Sequence, residues 1–270
     1  MLSRLLSIVR IAAGLVFFQH GAEKLWGFAG GRVTGWHLTL RAAAGPIEVL
    51  GGTLLVLGLC TRTTAFILCG EMAFAYFTWV KNGIWPINNG GEEAVLFCFL
   101  YLWLVTAGPG PWSVDALIRG TPAGLALKLD SWEGYGRALL RIVVAFTFSL
   151  HGFRHLFGAF PQLAGRRGAA PVAMDVLPPW FGVLEIAGGA LLIAGLFTSV
   201  TALIVCAELL ASYLYAAAPR SIWPIRNGGN DVILFFLIFL YLAFLGPGQW
   251  SLDELRKRAR PRVGAEPATG

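Results

Sequence analysis

Apolar runs long enough to cross a lipid bilayer recur along the whole chain and restrict its fold. Crossing ~30 Å of hydrocarbon takes about 17–25 helical residues, and inside a bilayer only helices or closed barrels satisfy the backbone. Hydrophobic residues make up 56% of the chain and charged residues 13%, as in a polytopic membrane protein. The sequence therefore predicts an all-α membrane protein with eight transmembrane helices, at residues 5–27, 43–60, 63–81, 92–108, 138–160, 180–197, 199–218 and 231–247.

The eight runs form two copies of one pattern. Matched residues recur in the same order, as in Arg10 and Arg141, His20 and His151, Glu48 and Glu185, and Glu71 and Glu208. Such a tandem repeat of a four-helix unit inserts both copies the same way up, so we expect two parallel-repeat four-helix bundles. The predicted organisation is a first unit over 1–118, a cytoplasmic linker over 119–136, a second unit over 137–255 and a basic flexible tail over 256–270.

A ten-residue segment between the third and fourth runs of each copy, here called the Trp-Pro loop, spans residues 84–93 and 222–231. It combines a tryptophan, a proline that stops a helix, an Asn-Gly-Gly turn and closing residues that carry acids. Tryptophan favours the boundary between water and hydrocarbon, and acids suit a helix N-terminus. We therefore expect shaped loops at one membrane surface, with candidate ligand-binding residues Trp85, Asn89, Trp223 and Asn227.

The distribution of basic residues predicts the orientation. The 21 Lys and Arg residues favour the side that holds both termini, and residues 256–262 are rich in them. Both termini are thus predicted in the cytoplasm, with the chain in the cytoplasmic (inner) membrane and the Trp-Pro loops outside. Cytoplasmic loops facing anionic lipid account for the net charge of +6, so the predicted partner is the lipid bilayer and not nucleic acid.

The four cysteines lie in or at the end of apolar runs, and no Cys-x-x-Cys is present. This spacing disfavours both a disulfide framework and a thiol–disulfide relay. We interpret Cys60, Cys69, Cys98 and Cys206 as free thiols that pack as small hydrophobic residues.

Ionisable side chains inside the runs mark the candidate site, because each needs a partner, water or a function. Glycines lie three and four positions from Glu48, so its helix face is expected to pack closely on another helix and to point the carboxyl group into the bundle. His20 ends the first run, and Lys24 follows at i+4 on the same face. A histidine, a cation and a glutamate are therefore expected to converge beneath the loop, and His151, His155 and Glu185 repeat this pattern in the second copy.

Two interpretations of this convergence stay open. Either histidine exchanges a proton with a small molecule or quinone headgroup while glutamate orients it or relays the proton, or His–Glu hydrogen bonds only lock the helices together. Glu71 and Glu208, near the middle of their runs, are candidate proton or redox groups, although a protonated glutamate bonded to backbone would also suit. The candidate catalytic residues are His20, Glu48, Glu71, His151, Glu185 and Glu208, and the further candidate ligand-binding residues are Lys24 and His155.

No metal site is predicted. His151 and His155 have the i, i+4 spacing of two metal ligands, but no carboxylate or cysteine at ligand spacing accompanies them. No phosphate-binding loop or nucleophile elbow is present either.

Five motifs recur in the same order in both halves: Arg…His-Gly-x-x-Lys/His-Leu, Gly-x-x-Glu-x-x-Gly-Gly, Gly-Leu-x-Thr, Asn-Gly-Gly-x-acid and Gly-Pro-Gly-x-Trp-Ser-x-Asp. Through them each half resembles the DoxX family of membrane proteins. The resemblance implies a four-helix bundle per unit. Because the family includes the DoxD-like subunit of thiosulfate:quinone oxidoreductase, it also implies a subunit that passes electrons from a small reduced donor to membrane quinone. The family's recurrent positions correspond here to His20, Glu48, Asn89, His151, Glu185 and Asn227.

Differences between the halves point to the first copy as the active one. The first copy has Lys24, Glu92 and Arg62 at the positions where the second has His155, Asn230 and Ser199. The first copy therefore holds more charged groups. No covalently bound cofactor is predicted, and a soluble or membrane redox partner protein is expected. Two other functions stay open, a proton-coupled small-solute transporter and a structural or assembly subunit of a larger membrane complex. The donor, the partner and homo-oligomer formation are also left open.

Overall fold

The computed structural model describes residues 2–30, 40–79, 83–119, 125–160 and 178–259. The chain is helical through these ranges and forms no strand within them, which confirms the all-α class. Part of the predicted linker (120–124) and most of the predicted tail (260–270) lie outside the described residues.

Eight longer helices make up most of the described part, and they follow the predicted runs to within a few residues. In the first copy these are α1 (Leu2–Trp26), α2 (Leu40–Leu57), α3 (Thr61–Trp79) and α5 (Glu92–Ala107). In the second they are α8 (Glu133–Phe157), α9 (Phe181–Ala194), α10 (Thr198–Ser212, continued by a π turn over Tyr213–Ala217) and α12 (Asn230–Leu245). The short helices are α4 (Pro86–Asn89), α6 (Val114–Arg119), α7 (Leu125–Asp130), α11 (Pro224–Asn227) and α13 (Leu252–Ala259).

Length and composition identify the chain as a multi-pass membrane protein. Three helices are long and apolar enough to cross a bilayer, at Ser3–Trp26, Glu133–Phe157 and Thr198–Ala217. Three shorter apolar helices accompany them, at Ala43–Leu57, Phe181–Ala194 and Asn230–Leu245. The arrangement of eight spans stays a prediction.

Glycines let the first two long helices of each copy pack backbone to backbone. A Cβ atom at Gly52 would lie 2.8 Å from the carbonyl oxygen of Gly14, and one at Gly189 would lie 3.0 Å from that of Ala145. As predicted from the glycine spacing, Glu48 is buried on such a face, and Glu185 is buried in the same way in the second copy.

The two copies share one apolar core. Helix α5 of the first copy packs against α8 of the second, α12 packs against α1, and α5 meets α12. The rings of Trp103 and Tyr241, one from each copy, lie 4.4 Å apart, and a single cluster of buried apolar residues runs through both copies. The two predicted bundles are therefore fused side by side and are not separate bodies.

Two aspartate carboxylates cap helices at the end of the molecule where the Gly-Pro-Gly motifs lie. Asp115 accepts hydrogen bonds from the backbone N–H groups of Cys60 (2.9 Å) and Thr61 (2.7 Å) at the start of α3. Asp253 does the same for α10 in the second copy. Each carboxylate thus caps a helix N-terminus from a distant part of the chain, which explains the acid that ends the motif.

Replacing Asp253 with asparagine is expected to lower the free energy of unfolding by about 1 kcal/mol at pH 7, because asparagine loses the charge and keeps one acceptor oxygen for the two backbone N–H groups. Burial alone would raise the pKa of Asp253, but the backbone N–H groups of Thr198 and Phe197 outweigh this and lower it. A lowered pKa gives stability that is present above the unfolded value of about 3.9 and is lost as pH falls through the folded value. The deficit of Asp253→Asn should therefore shrink as pH falls below about 4, because the unfolded chain takes up a proton at this carboxylate first and the native protein does so at a lower pH.

Unfolding in detergent at pH 7 and at pH 3 measures this difference. Glu254→Gln is the matched control. Glu254 is the neighbour of Asp253 in the chain, and its carboxylate forms a 3.0 Å ion pair with exposed Lys257. Equal deficits for the two variants at pH 7 would contradict the capping role.

Candidate functional site

Each Trp-Pro loop lies over the other copy. Arg154 of α8 donates a hydrogen bond to the carbonyl oxygen of Ile87 in the first loop (2.9 Å), and the ring of Trp85 lies 5.3 Å from that of Phe160. In the second loop the ring of Trp223 lies 4.7 Å from Phe28, just beyond α1. Both loops therefore bridge the copies at one end of the helices, here called the loop end.

The loop asparagines hold the turns of the loops. The Asn89 side chain accepts a hydrogen bond from Gly91 N (2.7 Å) and donates one to Gly83 O (2.8 Å). Asn227 makes the equivalent bonds in the second loop, at 2.8 and 2.9 Å. Both side chains are buried. Their amide groups are thus occupied within the loop, and a direct contact with a ligand stays a prediction for both.

The predicted convergence in the first copy is present, but its pairing differs from the expected one. Lys24 Nζ contacts Glu48 Oε1 directly. His20 Nε2 lies 3.2 Å from Glu93 Oε2 and 3.1 Å from Asn230 Nδ2. Lys24 therefore pairs with Glu48. His20 contacts the closing residues of both loops, Glu93 from the first copy and Asn230 from the second.

The second copy repeats this plan with different side chains. His155 Nδ1 lies 2.6 Å from Glu185 Oε2, as Lys24 lies against Glu48. His151 Nε2 lies 2.7 Å from Glu92 Oε1, which belongs to the first copy. The site residues thus form two related clusters, and each draws a polar group from the other copy.

The two clusters differ in accessibility. The side chains of His20 and Lys24 are 18% and 34% exposed, whereas those of His151 and His155 are 0% and 6% exposed. Glu92 offers His151 a buried carboxylate, whereas its counterpart Asn230 offers His20 only a neutral amide. The first cluster is therefore partly exposed, here called open, and the second is buried, here called closed.

The two mid-helix glutamates lie behind these clusters. Within the described part of the chain, neither carboxyl oxygen of Glu71 has a hydrogen-bond partner, and Glu71 and Glu48 interact only through their charges. The carboxyl group of Glu208 differs, because that of Glu185 lies within its reach. Adjacent carboxyl groups in apolar surroundings can share a proton. Glu208 thus extends the second cluster by one acid toward the middle of the helices.

Sequence reasoning missed the residues that close the loops, Glu92, Glu93 and Asn230, and also Arg154. The last two positions of the Asn-Gly-Gly-x-acid motif are the signal for the first three, but the sequence indicates only a helix start there, and no motif singles out Arg154. In the described ranges, no group of three or more His, Cys, Asp or Glu residues is arranged to hold a metal ion.

A shallow cleft of about 310 Å³ lies at the opposite end, lined by Phe197, Ser199, Gly246, Pro247, Asp253, Arg256 and Lys257. None of the predicted site residues lies in it, so it does not bear on the chemistry at the loop end.

Known proteins resemble this chain one copy at a time. The family model described as DoxX matches residues 5–80 and 136–218. An uncharacterized protein of Haemophilus influenzae is 40% identical over 131 residues, which are 47% of this chain and 95% of that protein. An uncharacterized membrane protein of Mycobacterium tuberculosis is 28% identical over 139 residues, which are 43% of this chain and 83% of that protein. No solved structure matches the chain.

Proposed function

Since the chain belongs to the DoxX family, as a tandem of two units, we propose that it is an integral membrane redox subunit that passes electrons from a small reduced donor to membrane quinone. A soluble or membrane partner protein delivers the electrons, and the quinone binds without a covalent link. In this proposal the eight longer helices span the cytoplasmic membrane, both termini lie in the cytoplasm, and the Trp-Pro loops face outward.

The open cluster of the first copy carries the proposal. Reduction of a quinone to a quinol takes up two electrons and two protons, so its site needs donors for the ring oxygens and groups that hold protons. His20 and Lys24 are accessible donors, and Glu48 and Glu93 are in direct contact with them. In the proposed role, His20 transfers a proton to a quinone oxygen, Glu93 holds the next proton, and the Lys24–Glu48 pair orients the headgroup.

The closed cluster of the second copy serves structure in this proposal. His151 and Glu92 are buried against each other and join α8 to α5. A group that is enclosed in this way is not accessible to a quinone headgroup. The assignment agrees with the first copy being the active one.

Binding of a short-chain ubiquinone analogue to the protein in lipid nanodiscs tests the proposal. We expect saturable binding, and His20→Ala should weaken it at least about tenfold, or about 1.4 kcal/mol, because a donor to the headgroup is lost. Lys24→Met should have a similar effect. Trp180→Phe is the control, since Trp180 is an exposed residue at the start of α9, outside the cluster. Absence of binding to the native protein, or equal affinities for the native protein and His20→Ala, would refute the proposal.

The mid-helix acids favour a second candidate, a proton-coupled transporter of a small solute. Glu71 and Glu208 place carboxyl groups near the middle of their helices, and that of Glu208 lies within reach of Glu185, which suits a proton relay through the membrane. Solute uptake into proteoliposomes that requires a proton gradient and disappears in Glu71→Gln would favour this candidate over quinone reduction.

A further inference from the structure

Two cysteines of the first copy meet between α3 and α5. The Sγ atoms of Cys69 and Cys98 lie 3.6 Å apart, although the residues are far apart in sequence. Both thiols are free and half-buried, and each lies near the middle of its helix. The sequence spacing gave no indication of this pair, because its members belong to different helices.

The geometry allows the pair to close into a disulfide. A disulfide has an S–S distance of about 2.05 Å, so the sulfur atoms would need to approach by about 1.5 Å. Helices α3 and α5 already pack along their length, and rotation of a cysteine side chain moves its sulfur by more than this distance.

The second copy lacks this pair. Cys206 matches Cys69, but Phe236 occupies the position of Cys98, and the Cys206 thiol lies 3.7 Å from the carbonyl oxygen of Phe236. The remaining cysteine, Cys60, is exposed at the start of α3. The dithiol therefore occurs only in the copy whose His–Lys cluster is open.

The surroundings of the pair suit a lipid-soluble oxidant. Cys69 and Cys98 are both partly exposed, and exposed Phe66 and Ile67 give α3 an apolar outer face close to Cys69 in the chain. In a multi-pass membrane protein such an apolar outer face contacts lipid. Quinones dissolve in this hydrocarbon layer, whereas charged oxidants do not.

We propose that Cys69 and Cys98 form a dithiol–disulfide couple that reduces quinone. Two S–H bonds break, one S–S bond forms and two electrons pass to the quinone. The quinone becomes a quinol by taking up two protons, and the thiols release two. The partner protein then delivers the electrons of the donor as a dithiol: thiol–disulfide exchange breaks the Cys69–Cys98 bond, forms a disulfide in the partner and restores both thiols. This inference rests on the proposed function, because quinone is the oxidant, and it gives the chain a redox centre of its own.

The test uses the full chain in detergent, reduced, freed of reductant and mixed without oxygen with a short-chain ubiquinone analogue. We expect one quinol per chain, loss of two alkylatable thiols and a Cys69–Cys98 cross-link in peptide mass spectra. Cys69→Ser should abolish quinol formation, and so should Cys98→Phe, which reproduces the pairing of the second copy. Cys206→Ser is the matched control and should react like the native protein.

Several results would overturn the couple. These are an unchanged thiol count, a disulfide that includes Cys60 or Cys206, or equal quinol yields from native protein and Cys69→Ser. If the native protein binds the analogue through His20 but keeps all its thiols, the couple is refuted and the proposed function is not. If the native protein and the His20→Ala variant form the Cys69–Cys98 disulfide equally, the result supports the couple. It also shows that quinone does not react at the loop end.

Discussion

Replacing Glu92 with alanine is expected to lower the free energy of unfolding by about 3 kcal/mol. Glu92 lies 2.7 Å from His151, and both side chains are almost fully buried. Hydrogen bonds between membrane helices average only about 0.6 kcal/mol. Removing one member of a buried ionisable pair costs about 3–5 kcal/mol, because the remaining polar group stays out of water. Since both groups are ionisable and enclosed, we expect a loss near the lower end of the second range.

The matched control is Asn230→Ala, which changes the same position in the second copy. Asn230 contacts the more exposed His20 through a single neutral amide, so its loss should cost about 1 kcal/mol or less. Denaturant unfolding in mixed micelles, followed by tryptophan fluorescence, measures both. A double-mutant cycle with His151→Ala then isolates the coupling between the pair. Equal losses for Glu92→Ala and Asn230→Ala would show that the buried contact does not join the copies.

The contacts across the copies make the protein resemble a dimer fused into one chain. The partner of His151 comes from the first copy, and a partner of His20 comes from the second. The relatives in Haemophilus influenzae and Mycobacterium tuberculosis match about one copy over most of their own length. In a protein with one such unit, the same contacts would require a second chain.

Local patterns in the sequence predicted the helices and the buried faces, because these depend on residues close together in the chain. Apolar runs, prolines and Asn-Gly turns placed the eight longer helices to within a few residues. The glycines beside Glu48 correctly indicated a close helix contact, since small residues three and four positions apart share one helix face. The placement of Lys24 on the same face as His20 also followed from helix periodicity.

Partners across the two copies could not be predicted in the same way. The contact of His151 with Glu92 depends on α8 packing against α5, and no local pattern encodes which copy a helix packs against. The Cys69–Cys98 contact depends in the same way on the pairing of α3 with α5. The pairing of Glu48 with Lys24 and of Glu185 with His155 depends on where the i+4 position of α1 or α8 lies against the next helix, since a lysine and an imidazole both reach the carboxylate from that position.

Gly52→Ala is expected to lower the free energy of unfolding by about 2 kcal/mol. A Cβ atom at Gly52 would lie 2.8 Å from the carbonyl oxygen of Gly14 and 2.9 Å from the backbone nitrogen of Phe18. Backbone atoms cannot rotate away as a side chain can, so α1 and α2 must separate. Overpacking of a close contact typically costs about 1–3 kcal/mol. Because Glu48 lies one turn away on the same helix face, this separation should also loosen its contact with Lys24.

Gly70→Ala is the matched control in the same copy. Gly70 lies within α3, and a Cβ atom there would meet nothing within 4 Å. Alanine has a helix propensity about 1 kcal/mol better than that of glycine, so this variant should be neutral or slightly more stable. Thermal unfolding in detergent compares the two, and binding of the ubiquinone analogue reports the Lys24–Glu48 contact. If Gly52→Ala is as stable as Gly70→Ala, the helices do not touch at this glycine. If it is less stable but binds the analogue normally, the close packing of α1 on α2 holds the fold without positioning the Lys24–Glu48 pair.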